Sequence, residues 1–92
     1  MNFHQVGITK QDILIVDDIA ENLRLLSTIL IEQGYNVRKA INGNMALRAV
    51  HTVVPDLILL DIMMPDMNGY EVCQHLKANQ QTAETPVIFL SA

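Results

Sequence analysis

The sequence predicts an α/β fold, in which a doubly wound parallel sheet is covered by helices on both faces. Three runs consist only of apolar residues and have the length of strands: ILIV at 13–16, LILL at 57–60 and VIFL at 87–90. Segments with helical spacing of apolar residues lie between them. Strands this apolar are typical of parallel sheets, because helices bury both of their faces.

The other elements complete the order βαβαβαβ. After the first strand, Leu23, Leu26 and Leu30 recur at helical spacing, and Gly34 is placed to end that helix. The segment YNVRKA at 35–40 alternates like a partly exposed strand. Apolar residues mark one face of each later helix: Ala46, Ala49, Val50 and Val53 before Pro55, then Gly69, Val72, Cys73 and Leu76.

The length of 92 residues predicts one small domain. We expect residues 1–11 to form a mobile tail and residues 12–92 to form the domain. The single cysteine, Cys73, excludes an intrachain disulfide and indicates a cytoplasmic protein. The formal charge of −4 argues against nucleic acid as a direct partner, and no apolar run is long enough to span a membrane.

Acidic residues stand at the ends of two predicted strands. Asp17 and Asp18 follow the first apolar run, and Asp61 follows LILL. Reactive groups of such sheets collect at the carboxyl ends of the strands, so neighbouring strands would bring the three carboxylates together. Their repulsion favours a bound cation, and hard oxygen ligands of this kind suit Mg²⁺.

A purely structural interpretation of these acids is also open. Asp18, with Glu21 three residues later, fits a helix N-cap and capping box, and Asp61 alone could be a turn residue. Acids at two separate strand ends are less easily explained in this way. The pattern therefore favours an acidic functional pocket.

The motifs ILIVDD, LILLDIMMPDMNGYEV and PVIFLSA, in this order, resemble the receiver domain of two-component response regulators. The resemblance covers residues 12–92 and implies a flavodoxin-like or CheY-like (βα)5 fold that lacks its last helix–strand–helix portion. It implies that Asp61 accepts a phosphoryl group from a sensor histidine kinase or a histidine phosphotransfer protein. It also implies a Mg²⁺ ion held by Asp18 and Asp61 directly and by Asp17 through water.

The resemblance assigns further roles around this pocket. The backbone carbonyl of Met63 would complete the metal ligands, and the Ser91 hydroxyl would bind the phosphoryl group. Pro65 would fix one φ angle of the turn after Asp61, and Gly69 would permit close approach of the backbone. Asn68 is placed to cap the following helix.

The family's final strand ends in a lysine that pairs with the phosphoryl group, and this sequence stops before it. Lys10 and Lys77 are predicted to lie too far from the pocket to replace it. We therefore expect impaired switching, and also self-association through the edge strand at 87–90 or the bare sheet face.

Two other functions remain open at this stage. A Mg²⁺-dependent aspartyl phosphatase or phosphotransferase could use a similar sheet, but the haloacid dehalogenase pattern has D-x-D after the first strand, and here Asp17 and Asp18 are adjacent. An inert structural or dimerisation fragment would keep the pocket without using it. The resemblance favours a signalling module that is not an enzyme.

Overall fold

The computed structural model describes residues 10–90 and has the predicted alternation of strands and helices. The elements are, in order, β1 (Asp12–Val16), α1 (Ala20–Glu32), β2 (Asn36–Ala40), α2 (Gly43–Thr52), β3 (Leu57–Asp61), α3 (Gly69–Ala78) and β4 (Val87–Leu90). Of the predicted tail, only Lys10 and Gln11 lie within the described residues, so its mobility stays a prediction.

The four described strands form one parallel sheet in the order β2-β1-β3-β4. This confirms the predicted doubly wound sheet. β1 and β3 are direct neighbours, with Val16 paired with Leu60 at their carboxyl ends. The residues that follow these two positions, Asp17 and Asp61, are thereby brought to the same edge of the sheet.

Alternate strand residues form two separate cores. The larger one lies beneath α2 and α3 and contains, among others, Leu14, Val16, Ile58, Leu60, Val72 and Leu76. Among residues 10–90, the smaller core, beneath α1, contains the buried residues Ile13, Ile15 and Leu23. Since α1 packs over β1 and β2, the α1 side of β3 and β4 is less covered, and Ile88 of β4 is 52% exposed.

The end of α1 has the geometry that the glycine predicts. Gly34 adopts a φ of 95°, a left-handed conformation that favours glycine. Its N–H donates to the carbonyl of Ile31 at 2.9 Å, and the N–H of Tyr35 donates to that of Leu30 at 3.2 Å. This is a Schellman motif, which satisfies the last carbonyls of the helix.

Asparagine side chains cap the other two helices. Asn68 accepts from the N–H of Glu71, and the Glu71 carboxylate accepts from the N–H of Asn68, both at 3.0 Å. The predicted cap of α3 is therefore confirmed, as half of a full capping box. At α2, Asn42 accepts from the N–H of Met45 at 2.8 Å, a cap that the sequence analysis did not identify.

Arg38 of β2 ties the edge of the sheet to the end of α2. Its guanidinium forms a bidentate pair with Asp12, at 3.1 Å and 2.9 Å, and donates to the carbonyls of Ala49 and Val53 at 2.9 Å and 2.7 Å. The Ala49 carbonyl also accepts from the N–H of Val53 at 3.3 Å, so Arg38 adds a second donor there. The carbonyl of Val53 lies just past the end of α2, where the helix supplies no donor, and Arg38 provides one. The side chains of Arg38 and Asp12 are 29% and 19% exposed, so the pair is partly shielded from water.

We expect Arg38→Met to lower the free energy of unfolding by about 1–3 kcal/mol, because it removes several charge-assisted hydrogen bonds from partly buried partners. Urea denaturation measures this difference. Arg48→Met is the matched control, because Arg48 is exposed on α2. Equal losses in the two variants would contradict a specific role for Arg38.

Candidate functional site

The three predicted acids lie together at the carboxyl edge of the sheet. Asp17, Asp18 and Asp61 each offer a carboxylate oxygen, and these three atoms lie within 4.8 Å of one another. β1 and β3 deliver them because the two strands are parallel neighbours in register. The result is a dense cluster of hard oxygen atoms, which is the donor set that Mg²⁺ prefers.

The environment of Asp61 disfavours its ionised form. The residue is 8% exposed, and burial is the main cause that raises the pKa of its carboxyl above the ordinary value. The negative charges of Asp17 and Asp18, and a hydrogen bond with Asp18, raise this pKa further. The backbone N–H of Met63 donates to Oδ1 of Asp61 at 3.3 Å and acts in the opposite direction.

Asp17 is held by donors on both of its oxygens. The backbone N–H of Ile19 donates to Oδ1 at 2.9 Å, and the side-chain amide of Asn22 donates to Oδ2 at 3.1 Å. Asp17 is only 4% exposed, so these bonds replace the water that its carboxylate has lost. The sequence analysis did not identify Asn22, because nothing local distinguishes it from an ordinary surface asparagine.

The capping-box interpretation of Asp18 and Glu21 is wrong. The N-cap of α1 is Ile19, which has no side-chain cap bond. The local turn is instead closed by Asp17, whose carboxylate accepts from the N–H two residues later. The Asp18 carboxylate therefore faces the other acids and not the first turn of α1.

An open cleft of about 340 Å³ leads to the acids. Its polar residues are Asp17, Asn22 and Asp61, and its apolar residues are Ile19, Leu25, Leu26, Met63 and Leu90. Asp61 is thus accessible from outside, although most of the residue is buried in the strand. Met63 is 66% exposed beside the cleft.

The loop between β3 and α3 makes a tight turn beside Asp61. The N–H of Met67 donates to the carbonyl of Pro65 at 2.7 Å, which places Asp66 between them with a φ of 68°. This left-handed conformation is uncommon outside glycine, although Asp and Asn adopt it more readily than most residues. The predicted turn-shaping position of Pro65 lies directly at this bend.

Gly69 closes the same loop against the backbone of β3. Its N–H donates to the carbonyl of Ile62 at 2.9 Å. A Cβ atom at this position would collide with the carbonyl oxygen of Asp61 and lie 2.9 Å from the Cα of Ile62. Any side chain here would therefore displace the backbone that carries Asp61.

The sequence analysis also named Ser91 as a site residue and predicted that Lys77 lies too far from the pocket to serve it. Ser91 lies beyond the described residues, so its proposed contact with a phosphoryl group stays a prediction. Lys77 is committed elsewhere, because its ammonium donates to the carbonyls of Ala83 and Thr85 at 3.0 Å and 2.9 Å. These contacts fix the connection between α3 and β4.

Residues 13–92 match the family model of the response regulator receiver domain. The chain belongs to this family. The receiver domain resemblance inferred from the sequence is thereby confirmed. PleD, a response regulator of Caulobacter vibrioides, is 45% identical over 80 residues, which are 87% of this chain and 18% of PleD. The chain therefore spans less than a fifth of that relative.

Solved receiver structures have the same fold. The N-terminal domain of a response regulator receiver protein from Methanoculleus marisnigri JR1 superposes with a TM-score of 0.88 at 37% identity, over 91% of this chain and 68% of that one. The response regulator TrrA of Thermotoga maritima, solved with Mg²⁺ and BeF, has a TM-score of 0.83 at 35% identity, over 89% of this chain and 70% of that one. The receiver fold is therefore confirmed by proteins that also share sequence. Within residues 10–90, no helix is long and apolar enough to cross a membrane.

We expect Asp61→Asn to stabilise the metal-free receiver domain at neutral pH, since it removes a carboxylate whose charge the site disfavours. The pKa of Asp61 is higher in the folded state than in the unfolded state, where it is about 4. The charge of Asp61 therefore does not destabilise the fold below the unfolded pKa. Its destabilising effect grows as the pH rises from there through the folded pKa. Urea unfolding from about pH 4 to pH 8 should show the stability of the variant relative to wild type increasing with pH.

The matched control is Asp66→Asn, which changes the same groups at an exposed position outside the acidic cluster. It should show no such pH-dependent gain. A neutral-pH stability of Asp61→Asn at or below that of the wild type would contradict the prediction.

Proposed function

We propose that this receiver domain accepts a phosphoryl group on Asp61 from a phosphohistidine of a sensor histidine kinase or a histidine phosphotransfer protein. The observation that supports this most is the position of the Asp61 carboxylate, which opens into a cleft beside two other acids. A carboxylate at a rigid strand end is held in place for an in-line donor, and this positioning is a major part of phosphoryl-transfer catalysis.

The transfer forms an O–P bond to Asp61 and breaks the N–P bond of the phosphohistidine, whose imidazole leaves. The N–H of Met63 holds Oδ1 of Asp61, which leaves Oδ2 for bond formation. The apolar residues of the cleft mouth, among them Leu25 and Met63, would exclude water from a docked donor. The acyl phosphate is then the stored signal.

The acidic cluster fits a Mg²⁺ ion by its donor chemistry and spacing. Asp18, Asp61 and the carbonyl of Met63 would hold it directly, and Asp17 would act through water. This division follows the resemblance to receiver domains. The two hydrogen bonds that Asp17 accepts orient its carboxylate, and each oxygen keeps a further acceptor site for a metal-bound water. When bound, the ion would neutralise negative charge on the transferring oxygens.

Lys77 is not available to the phosphoryl group, because its ammonium donates to the carbonyls of Ala83 and Thr85. We propose that the Ser91 hydroxyl binds the phosphoryl group together with the metal. A cytoplasmic location and the lack of direct nucleic-acid contact, both expected from composition, stay predictions.

We expect acetyl phosphate with Mg²⁺ to add one phosphoryl group to Asp61. The reason is that a small acyl phosphate enters the open cleft without a protein partner. Intact-mass measurement should show the addition, and hydroxylamine should remove it. Without Mg²⁺ the yield should fall strongly, because the acids then repel the phosphoryl oxygens.

Asp61→Asn should abolish the labelling, and Asp66→Asn should leave it unchanged. Labelling that survives Asp61→Asn would place the acceptor elsewhere. Repeated turnover of p-nitrophenyl phosphate would favour the phosphatase alternative, since a receiver domain is modified once and does not cycle on this substrate.

We also propose that the chain associates with a second copy through β4 or through the sheet face beside it. β4 is an edge of the described sheet, so one side of its backbone has no strand partner there. On the α1 side, Leu59, Ile88 and Leu90 form an apolar surface that α1 covers incompletely. Burying such surface contributes about 25 cal/mol per Å².

We expect sedimentation equilibrium at several concentrations to show an average mass that rises with concentration. Ile88→Lys should shift the protein towards monomer, because it places a charge on the open face. Ile31→Lys is the matched control, because Ile31 is an equally apolar residue that is 57% exposed on α1. Leu25 of α1 lines the cleft with Leu90, next to the open face, and helical periodicity places Ile31 on a different side of α1 from Leu25. A stably folded wild-type monomer at all concentrations would contradict the proposal.

A further inference from the structure

We propose that Asn22 is a positioning residue for the metal site, and that its side-chain amide fixes the Asp17 carboxylate before the cation arrives. The inference rests on the proposed Mg²⁺-dependent function. Asn22 lies in the first turn of α1, five residues after Asp17, and its Nδ2 is 3.1 Å from Oδ2 of Asp17. No motif of the sequence analysis includes it.

The chemistry of Asn22 and Asp17 fixes the direction of the hydrogen bond between them. An ionised carboxylate only accepts hydrogen bonds, so the amide nitrogen of Asn22 must face Asp17 and the amide oxygen must face away. The other oxygen of Asp17 accepts from the N–H of Ile19 at 2.9 Å. One donor from the loop and one from the helix therefore hold the carboxylate, and rotation of its side chain would break both bonds.

A neutral donor suits this position better than a charged one. Lysine or arginine at position 22 would also bind Asp17, but its positive charge would compete with the cation that the cluster attracts. Asn22 orients the carboxylate and leaves the charge of the three acids intact. Asn22 also lines the cleft together with Asp61, so the same side chain borders both the metal site and the acceptor.

Calorimetric titration of the full chain with Mg²⁺ tests the assignment without any phosphoryl donor. Asn22→Ala and Asn22→Leu should each raise the Mg²⁺ dissociation constant roughly 3- to 10-fold, which is the size of one typical hydrogen bond, because Asn22 acts on the cation only through Asp17. Both replacements favour helix formation, so α1 should stay folded. Thr28→Val is the matched control, because Thr28 is an exposed residue of the same helix that bonds only to the Arg24 carbonyl.

A thermodynamic cycle distinguishes positioning from a general effect on the helix. In an Asp17→Asn background, Asn22→Ala should change the dissociation constant less than about 2-fold, since the carboxylate through which it acts is gone. An equal effect in both backgrounds, or an unchanged affinity of both Asn22 variants beside a wild type that binds Mg²⁺, would overturn the inference alone. A wild type that binds no Mg²⁺ would overturn the proposed function and this inference together.

Discussion

The repulsion among three carboxylates at one edge of a small sheet is the constraint on which the rest of the site depends. Parallel pairing of β1 with β3 forces Asp17 and Asp61 to the same end, and the chain places Asp18 beside them. Burial of Asp61 makes the repulsion more costly, because it removes water that would screen the charges. The metal-free site is thus destabilised where a cation and a phosphoryl group would meet.

The loops around the acids are built to resist this repulsion. Asp17 is held by two donors, and Oδ1 of Asp61 by the N–H of Met63. The loop after Asp61 is closed by Gly69, which fits only because it has no Cβ. A capping box then fixes the start of α3 directly after this loop. Rigid supports of this kind let the acids stay close without relaxing apart, which is how a site becomes preorganised.

The sequence predicts those features that depend on local patterns. The order of the elements follows from the apolar strands, the helical spacing of apolar residues and Gly34. The acids at two strand ends predict the acidic cluster. The capping box at Asp18 failed because the pattern D-x-x-E does not show which of two adjacent acids turns towards the helix, and here Asp17 does. Arg38 was missed because its partners are set by tertiary packing, 11 to 26 residues away. Asn22 was missed for another reason: its partner Asp17 is only five residues away, but an asparagine at this spacing matches no capping or turn pattern.

The two faces of the sheet differ in a way that links folding to the site. α2 and α3 bury the larger core on one face of the sheet. On the other face α1 packs over β1 and β2, and the part formed by β3 and β4 stays partly open. Leu90 pairs with Asp61, and paired residues of neighbouring strands point to the same face of the sheet, so Leu90 lies on that open face. It also lines the acidic cleft with Leu25 and Leu26. A second copy bound to this face, as proposed above, would contact the surroundings of Asp61. If its affinity depended on the charge of Asp61, linkage would require its binding to change the energetics of that charge by the same factor.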